Sequence, residues 1–459
     1  MLKPIHLLFF LLLTGRLSAQ SPTLDAGFKA ATVQQLTDRL NAAYVFPDVA
    51  QKTGEHLQQL LQAGQFDQYT DLSSFADALT REAQSIAKDK HLRIRPAPVR
   101  EAPAATPERL LEDKLADLSN RRAGMAGFRS VQRLDHNIGY FDLRGFAGLP
   151  AGKPVADQYM GLLDGVDALI IDLRKNGGGS PGMVQYLCSY FFDTPVHLNS
   201  LYWREGDRTE DFWTLDQVGG RKMPDVPIFI LTSNYTFSGA EEFCYNMQTR
   251  KRATLVGETT GGGANPGGVF PLNEALGVFI PTGRAINPVT KTNWEGTGVV
   301  PEVKTTAAAA YDKALELAAA AADGYRAQAM QKQKLLLGEL MSSLEQYAAG
   351  QPDEPVLSNL KKCLAAGLLT EDDVNALGYE YLQRFNKPAT SVVIFKGNTL
   401  LHPGSANVYD SYGEALLATG RKDEARKIYQ KAVELAEANK DPNLELFRRN
   451  LQAVDEKRP

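Results

Sequence analysis

The N-terminal part of the chain carries apolar residues at spacings of three and four. The pattern runs from about Thr23 to Ala87 through three segments separated by Gly and Asp, LTDRLNAAYVF, HLQQLLQAG and FADALTREAQSIA. Such spacing gathers apolar side chains on one face of a helix, and that face needs a partner to cover it. We therefore predict three or four short helices that pack as a bundle.

The pattern changes between about Asn137 and Val303 to short apolar runs bounded by Gly, Asp or Asn. These runs are rich in β-branched and aromatic residues and comprise IGYFDLRGF, ALIIDLR, IFILTS, ATLVGET and GVFIPTGR. Two of them precede helical stretches, MVQYLCSYFFD and AEEFCYNMQTR. Strands that alternate with helices predict a mixed α/β layer.

Beyond Thr305 the chain is rich in Ala, Leu, Glu and Lys, and its pattern is helical to the end. The last hundred residues fit the tetratricopeptide pattern of about 34 residues. The matching positions are Tyr409, Tyr412, Gly413, Leu416, Ala425, Tyr429 and Ala432. A weaker copy about one period earlier comprises Leu377, Gly378, Tyr381, Phe395 and Pro403. Such repeats stack around a concave surface, so we predict a protein partner there; a generic helical hairpin is the alternative.

The first twenty residues have the layout of a cleavable signal peptide. Lys3 provides a basic start, an apolar run extends from Leu7 to Leu13, and a small residue follows at Ala19. Such a run is too short to cross a bilayer. We predict cleavage after Ala19 and an exported protein, periplasmic or extracellular, with no membrane span in the mature chain. A retained membrane anchor is the alternative, because Leu17 fits the cleavage rule poorly.

A chain of 459 residues is long enough for roughly two to four domains. A linker is indicated between Pro96 and Pro107, where the segment PAPVREAPAATP is rich in proline and alanine. The predicted organisation is a signal peptide (1–19), a helical bundle (20–95), a linker and mixed segment (96–133), an α/β core (134–305), a helical connector (306–370) and tetratricopeptide-like repeats (371–459).

Composition excludes several classes of function. The 43% hydrophobic and 23% charged residues can build a sizeable core. A formal charge of −4 provides no overall positive field, so nucleic acid is not expected as a partner. The three cysteines, Cys188, Cys244 and Cys363, are odd in number and widely spaced, which supports neither a disulfide framework nor a zinc ribbon. We expect them to be small buried apolar residues.

A serine lies where an apolar strand turns into a helix, in the segment LTSNYTFSGAEEF. The apolar run ends at Leu231, and the helix begins with Ser238 and Gly239. The first turn of a helix presents free N–H groups and the positive end of the helix dipole, which favour developing negative charge. Ser238 is therefore a candidate nucleophile. A helix N-cap is the commoner role of this local pattern, because Glu241 completes a capping box.

Three consecutive glycines, Gly177 to Gly179, follow another apolar run in the segment ALIIDLRKNGGGSPG. Glycine lets backbone N–H groups turn toward a ligand and form an anion-binding nest. The loop lacks the Gly-Lys-Ser/Thr of a phosphate loop and the spacing of a dinucleotide fingerprint, so no nucleotide cofactor is indicated. An oxyanion hole is the functional interpretation, and a tight structural turn is the alternative.

A serine nucleophile needs a base, and the chain has six histidines. His6 lies in the predicted signal peptide, and the helical, polar or turn contexts of three others favour structural roles: His56, His197 and His402. The candidates that remain are His91, in DKHLRIRP, and His136, in LDHNIGYF. The local sequence does not choose between them.

Seven segments together resemble the C-terminal processing and tricorn family of serine peptidases, in the branch similar to interphotoreceptor retinoid-binding protein. They occur in the family's order and are YVFPDVA, DKHL, IGYFDLRGF, DLRKNGGGSPG, TSNYTFSGAEEF, VGETTGGGANPG and NWEGTGVVPEV. The resemblance covers roughly Val33 to Thr305. It implies that residues 134–305 form a serine peptidase core, a crotonase-like ββα spiral, with the active site between this core and the N-terminal helical bundle.

The resemblance also implies a catalytic set. Ser238 matches the family's nucleophile. The tail-specific branch carries a lysine base where this chain has Gly263, so a Ser-Lys dyad is not available. The tricorn-like branch instead uses the histidine of an Asp-x-His segment, which matches His91, and a glutamate shortly before a Gly-Val-x-Pro segment, which Glu295 matches best.

Two further positions follow from the same resemblance. Gly178 and the Gly239 amide correspond to the family's oxyanion donors. Lys90 is a departure, because the residue before the family histidine is often small or hydroxylic. The secondary hydrogen bond that this residue makes in the family therefore has no assigned counterpart in this chain.

These observations predict an exported serine endopeptidase that hydrolyses polypeptides through an acyl-enzyme, with Ser238, His91 and Glu295 as its catalytic residues. An imidazole with a pKa of about 6.5 accepts a serine proton at neutral pH. Neither a metal nor a cofactor is required.

The alternatives are a non-catalytic binding protein of the same fold that carries an apolar ligand, as the retinoid-binding relatives do, and a tetratricopeptide interaction scaffold. No PDZ-like insertion is evident between Leu110 and Arg133, so the sequence does not indicate selection of a free C-terminus.

Overall fold

The computed structural model describes residues 24–96 and 107–456. Its helices are α1 (Ala26–Ala43), α2 (Pro47–Gln62), α3 (Leu72–Ala87), α4 (Pro107–Gly124), α5 (Leu149–Leu162), α6 (Pro181–Ser189), α7 (Gly239–Thr249), α8 (Ala310–Gln346), α9 (Glu354–Ala365), α10 (Glu371–Tyr379), α11 (Pro388–Leu401), α12 (Ala406–Ala418), α13 (Lys422–Asn439) and α14 (Leu444–Glu456). Its strands are β1 (Arg93–Pro96), β2 (Phe128–Leu134), β3 (Ile138–Leu143), β4 (Ala168–Asp172), β5 (His197–Trp203), β6 (Arg208–Trp213), β7 (Ile228–Thr232), β8 (Thr254–Gly257), β9 (Gly267–Pro271), β10 (Leu276–Pro281), β11 (Gly283–Ile286) and β12 (Val303–Lys304).

Two predictions fall largely outside the described residues, the signal peptide at 1–19 and the linker between Pro96 and Pro107. Within the described ranges, no helix has both the length and the apolar content needed to cross a membrane.

Helices α1 to α3 form the N-terminal region, as the apolar spacing predicted. Aspartate caps fix two of the helix starts, because Asp25 accepts a hydrogen bond from the Phe28 N–H (2.7 Å) and Asp71 accepts one from the Ser74 N–H (2.8 Å). Each cap satisfies an N–H that has no partner within the helix. The apolar faces meet in one buried cluster that includes Val33, Leu36, Leu40, Leu57, Phe75 and Leu79.

An antiparallel sheet in the order β1, β10, β9 completes this cluster. Arg93 of β1 pairs with Phe279 of β10, so the chain just after α3 joins strands from much later in the sequence. One face of the sheet contributes Ile94, Val278 and Ile280 to the buried cluster. The sequence patterns did not predict this pairing, which attaches the N-terminal helices to the later segment.

The main sheet has six strands in the order β12, β8, β7, β4, β3, β2. Only β2 and β3 are antiparallel, and the other neighbouring strands are parallel. Four of the apolar runs in the sequence form β3, β4, β7 and β8, as predicted, and the fifth forms β10 and β11. A third, antiparallel sheet has the order β11, β5, β6.

Both faces of the main sheet are covered, which explains why its strands are continuous apolar runs. Neighbouring residues of a strand point to opposite faces. In β4, Leu169 and Ile171 join a core that contains residues of α5, α6 and α7, whereas Ala168 and Ile170 face the start of α8. That helix meets the sheet with small side chains at every fourth position, Ala310, Ala314, Ala318 and Ala322.

The chain divides into two compact units, Met1–Tyr325 and Arg326–Pro459. The described part of the second unit is helical, as predicted. In two of its helix pairs, a glycine of the repeat pattern lies against an aromatic ring of the next helix. A Cβ on Gly378 would lie 2.5 Å from the Phe395 ring, and one on Gly413 would lie 2.9 Å from the Tyr429 ring. The tetratricopeptide assignment and the domain boundaries after residues 95, 133, 305 and 370 stay predictions.

The cysteines are free and buried, which confirms the expectation from their spacing. Burial raises the pKa of the Cys188 and Cys244 thiols well above the ordinary value. Because the thiolate is the reactive form, these side chains act as apolar packing groups.

Candidate active site

Ser238 lies at the junction of β7 and α7, the position that the sequence predicted. The turn before it is fastened to the loop that follows β4. Thr236 Oγ1 donates a hydrogen bond to Leu173 O (2.9 Å), and Ser233 Oγ donates one to Arg174 O (2.6 Å). The loops that follow two adjacent parallel strands are therefore held together at the carboxyl edge of the sheet, where α/β proteins place their ligands.

The backbone at Ser238 is strained. Its φ is 54° and its ψ is −122°, a combination that a residue with a Cβ rarely adopts. Such a conformation costs about 1–3 kcal/mol and persists only where the surroundings impose it. The Ser238 N–H donates to Glu241 Oε2 (2.9 Å), which is the glutamate half of the capping box. Ser238 therefore begins the helix and also faces the cavity described below.

Glu241 is a buried carboxylate that connects Ser238 to the segment after β8. Besides the Ser238 N–H, it accepts hydrogen bonds from Thr260 Oγ1 (2.5 Å), the Gly262 N–H (2.6 Å) and the Gly263 N–H (2.8 Å). Burial raises the pKa of Glu241 and these hydrogen bonds oppose the rise. This carboxylate thereby positions Ser238 relative to Gly263, which borders His91.

Ser238 and His91 line one cavity of about 600 Å³. Gly177, Gly179 and Gly239 line it too, so the glycine loop after β4 and the first residue of α7 face the same space. Both ring nitrogens of His91 are buried, and neither has a hydrogen-bond partner among the described residues. Buried polar atoms without partners are costly, and a cavity beside them gives a substrate group room to supply the partner.

The His91 ring is held between two aromatic side chains. Helix α3 ends at Lys88 in the left-handed conformation, with φ of 56°, which redirects the chain toward the cavity. The ring centroid of His91 lies 4.5 Å from that of Phe237 and 5.7 Å from that of Phe279. Its side chain is 10% exposed. These contacts restrict the rotation of the imidazole and leave its position well defined.

Gly263 explains why a lysine base does not fit this site. A Cβ on Gly263 would lie 2.7 Å from His91 Cε1 and 2.2 Å from Phe237 Cζ. Any side chain at this position would displace the imidazole or the phenyl ring beside it. The space that a lysine stem would need is therefore occupied by the histidine.

A first carboxylate beside His91 is Asp89, which is 1% exposed. Its Oδ1 accepts a hydrogen bond from the His91 N–H (2.9 Å) and lies 3.7 Å from His91 Nδ1. Its Oδ2 accepts hydrogen bonds from the Tyr44 hydroxyl (3.3 Å) and from Asn265 Nδ2 (2.9 Å). Asp89 is thus held from both sides, by the turn between α1 and α2 and by the segment before β9.

A second carboxylate, Glu295, faces the same ring. Its Oε2 accepts a hydrogen bond from the Ala264 N–H (2.5 Å), while its Oε1 is buried without a partner among the described residues. One ligand atom each of Asp89, His91 and Glu295 lies within 4.8 Å of the others. Two carboxylates therefore converge on one imidazole.

The same three groups are spaced closely enough to hold a metal ion, and within the described ranges they form the one such group of histidine, cysteine and acidic side chains. A histidine with two carboxylates is a common donor set for divalent metals. The sequence prediction that no metal is required stays a prediction.

The crowding of the two carboxylates predicts a pH-dependent stability. Burial, together with the charge of Asp89, raises the pKa of Glu295 from 4.5 to about 8. The folded chain therefore binds this proton more tightly than the unfolded chain between these pH values. Its contribution to stability is complete below the unfolded pKa and is lost as the pH rises through the folded pKa.

We expect the urea midpoint of the wild type to fall between about pH 5 and about pH 8 by more than that of Glu295→Gln, which stays neutral throughout. Glu274→Gln, a change at an exposed glutamate, should follow the wild type. Identical pH slopes for the wild type and Glu295→Gln would contradict this reasoning.

The glycine loop shows which amides are available to an oxyanion. Gly178 has a φ of 105°, and a Cβ there would lie 2.8 Å from both Gly239 N and Ser238 Cβ, so only glycine fits. The Gly178 N–H, however, donates to Asn176 Oδ1 (2.8 Å). Gly179 lines the cavity and has a φ of 142°. The role of Gly178 as an oxyanion donor therefore stays a prediction. Gly179, the next residue of the loop, is a second candidate for this role.

The other histidine candidate and the unusual lysine lie in different settings. His136 is half-exposed, its Nδ1 lies 3.3 Å from Asp323 Oδ1, and it is not part of the cavity lining. Lys90 Nζ donates to Gly261 O (2.5 Å) and lies at the cavity that adjoins the far side of His91. Of the two candidate histidines, His91 is the one that lines the cavity with Ser238, and its role as the base stays a prediction.

Sequence reasoning gave Tyr44, Asn265 and Asp89 no part in holding the site, and it interpreted Glu241 only as part of a capping box. The Asp-x-His spacing contained the signal for Asp89, because a carboxylate two residues before a histidine can reach its backbone N–H. No local pattern identifies Tyr44 or Asn265, whose contacts with Asp89 come from distant segments.

Two protein families match this chain. Residues 137–305 match the family described as peptidase family S41, and residues 27–121 match the family described as the N-terminal domain of Peptidase_S41 in eukaryotic IRBP. The second segment contains His91, and the first contains Ser238 and Glu295.

Two individual relatives share less than 30% of their residues with this chain over the matched segments. The chain is 29% identical over 142 residues (31% of this chain, 28% of the relative) to a probable CtpA-like serine protease of Staphylococcus haemolyticus. It is 28% identical over 157 residues (34% of this chain, 35% of the relative) to the carboxyl-terminal-processing protease of Synechocystis. The match thus spans about a third of the length of these curated relatives. A crystal structure of a peptidase candidate from Parabacteroides merdae is 18% identical, covers 61% of this chain and 90% of that chain, and gives a TM-score of 0.44.

Proposed function

We propose that this chain, a member of peptidase family S41, is a serine endopeptidase in which Ser238 is the nucleophile and His91 the general base. The observation that carries the proposal is the shared cavity. It brings a serine with a strained backbone, at the start of a helix, together with a buried imidazole whose nitrogens have no hydrogen-bond partner among the described residues. A serine needs such a base because its hydroxyl is a weak nucleophile at neutral pH.

In the proposed reaction, His91 takes the proton from the Ser238 hydroxyl as the oxygen attacks the scissile carbonyl carbon. The imidazolium then gives this proton to the leaving amine, and the C–N bond breaks to leave an acyl-enzyme. A water molecule attacks the acyl carbon with His91 again as base, and the Ser238 oxygen leaves as the hydroxyl. Neither ring nitrogen of His91 has a hydrogen-bond partner among the described residues, so we assign formation of the His91–Ser238 hydrogen bond to substrate binding. Catalytic hydrogen bonds are often long in the free enzyme.

Glu295 is proposed to orient His91 and to stabilise its positive charge. Burial and the charge of Asp89 raise the pKa of Glu295 to about 8 while the imidazole is neutral, so its carboxyl is largely protonated at neutral pH. An imidazolium at His91 favours the ionised carboxylate, so formation of this cation strengthens its interaction with Glu295. An interaction that improves on going to the transition state lowers the barrier rather than only tightening binding. Asp89 adds to the same effect, because its Oδ1 is 3.7 Å from His91 Nδ1.

The Gly239 amide is proposed as one oxyanion donor, because it lies at the start of α7 beside Ser238. An amide of the glycine loop is the second, with Gly178 as the residue that the sequence predicts and Gly179 as the one that lines the cavity. Each donor of this kind contributes about 3 kcal/mol to transition-state stabilisation.

Several finer features belong to the same proposal. The core is proposed to be a crotonase-like ββα spiral, and the chain to be exported after cleavage of its signal peptide. The helical C-terminal region is proposed to be a tetratricopeptide-like array that recruits a protein partner. The paired contacts of Gly378 with Phe395 and of Gly413 with Tyr429 support the repeat.

The proposal is tested by assaying the purified chain for turnover of casein and for covalent labelling by a fluorophosphonate. A serine peptidase should do both. Failure of both reactions in a folded preparation would favour the alternative, a non-catalytic protein of the same fold that binds an apolar ligand.

A further inference from the structure

The outer face of the β1–β10–β9 sheet is apolar and cationic. Residues of β1 alternate, so that Ile94 enters the core while Arg93 and Arg95 point outward. The register places Arg93 beside Phe279, which in turn pairs with Val269 of β9. Val269 is 76% exposed, an unusual position for a large apolar side chain at the edge of a cavity.

A cavity of about 530 Å³ lies over this face, separate from the one that contains Ser238. Its apolar lining includes Phe237, Val269, Phe270, Leu276 and Phe279. A space of this size accepts a large aliphatic or aromatic side chain, whose burial would be favourable.

Three cations rim the same cavity, Lys90, Arg93 and Arg95. None of them has a carboxylate within ion-pair distance among residues 24–96 and 107–456. Their side-chain bonds are to carbonyl oxygens, from Lys90 to Gly261 O and from Arg93 to Lys90 O (2.9 Å). In a chain with a net charge of −4, this cluster is a local positive region that favours an anionic group.

The cavity adjoins the candidate active site, because His91, Phe237 and Phe279 line both spaces. A polypeptide whose scissile bond lies between His91 and Ser238 would therefore extend a neighbouring residue over the aromatic and cationic face. The side chains that line both cavities would then border the reacting bond on one side and the neighbouring substrate residue on the other.

We propose that this cavity is a specificity subsite for a substrate segment that carries a large apolar side chain next to a carboxylate. The inference rests on the proposed peptidase function and names the substrate class of that site. The carboxylate is that of an aspartate or glutamate side chain, which would face Arg93 and Arg95, and the test distinguishes it from the carboxylate of a free C-terminus.

The test measures binding to the full chain carrying Ser238→Ala, so that no cleavage intervenes. Fluorescein-labelled hexapeptides with Phe-Glu, Phe-Gln or Phe-Lys at the centre are compared by anisotropy, each as the C-terminal acid and as the amide. We expect the Glu peptide to bind roughly five- to tenfold more tightly than the Lys peptide at low salt. A preference for Glu over Gln in the amides supports the side-chain carboxylate, whereas a preference for acid over amide with none for Glu over Gln would assign the effect to the C-terminus and overturn the proposal.

Three further variants locate the effect. Arg93→Glu with Arg95→Glu should reverse the charge preference, whereas Arg129→Glu, at an exposed arginine of β2, should leave it unchanged. Gly277→Val should weaken the binding of peptides with phenylalanine by at least fivefold, because a Cβ there meets only Phe270 O at 3.6 Å and Val269 Cγ1 at 3.7 Å and the added side chain would occupy part of the cavity.

The absence of any charge preference, or a preference that survives Arg93→Glu with Arg95→Glu, would overturn the subsite. This outcome is distinct from failure of the proposed function. A Ser238→Ala chain that binds as expected, paired with a wild type that cleaves nothing, would retain the subsite and refute the peptidase.

Discussion

Replacing Ser238 by alanine is expected to reduce casein hydrolysis by about ten-thousandfold or more, to the background of the assay. The hydroxyl is the protein group that forms a bond to the substrate carbonyl carbon in the proposed reaction, so its removal leaves no acyl-enzyme. The fold should persist, because the Ser238 N–H that donates to Glu241 is retained. The rate is measured with fluorogenic casein, and circular dichroism reports the fold.

Ser180→Ala is the matched control for this experiment. Ser180 precedes α6 after a glycine run, as Ser238 precedes α7, and its side chain makes no cap hydrogen bond. Activity within about twofold of the wild type is expected for this variant. A Ser238→Ala protein that remains folded and active would remove the nucleophile from the account.

Replacing His91 by alanine is expected to slow turnover by about a thousandfold or more, mainly through kcat. Without the imidazole, no group of the proposed catalytic set accepts the Ser238 proton, and no imidazolium can form beside Asp89 and Glu295. Km should change less, because the aromatic side chains on either side of the ring remain. Initial rates at several substrate concentrations separate the two parameters.

His136→Ala is the control, since His136 was the second candidate base in the sequence and pairs with Asp323 outside the cavity. It should retain nearly full activity. If instead His136→Ala were inactive and His91→Ala active, the assignment of the base would be reversed.

The secondary structure of the core was largely predictable because its strands have a strong local signal. Strands covered on both faces are continuous apolar runs, as in ALIIDLR and IFILTS, and each is followed by a turn and a helix. The short strands β1 and β9 lacked such a signal. Each becomes a strand through pairing with β10, and in β1 the exposed Arg93 and Arg95 obscure the pattern.

The candidate site was predictable to a similar extent. Ser238 and the glycine loop could be located because a strand, a turn and a helix start are contiguous in the sequence. Choosing His91 over His136 required the family resemblance, because each histidine has an ordinary local context. The hydrogen bonds of Asp89 with Tyr44 and Asn265 join three distant segments, and only the folded chain brings them together.

Mass spectrometry of the fluorophosphonate adduct tests the central claim most directly. The claim is that the hydroxyl of Ser238 is made nucleophilic by the imidazole of His91. The account predicts a single adduct on the tryptic peptide that contains Ser238, formed at least a hundredfold more slowly in His91→Ala. An adduct on another residue, or an equal rate of labelling in the wild type and His91→Ala, would contradict it.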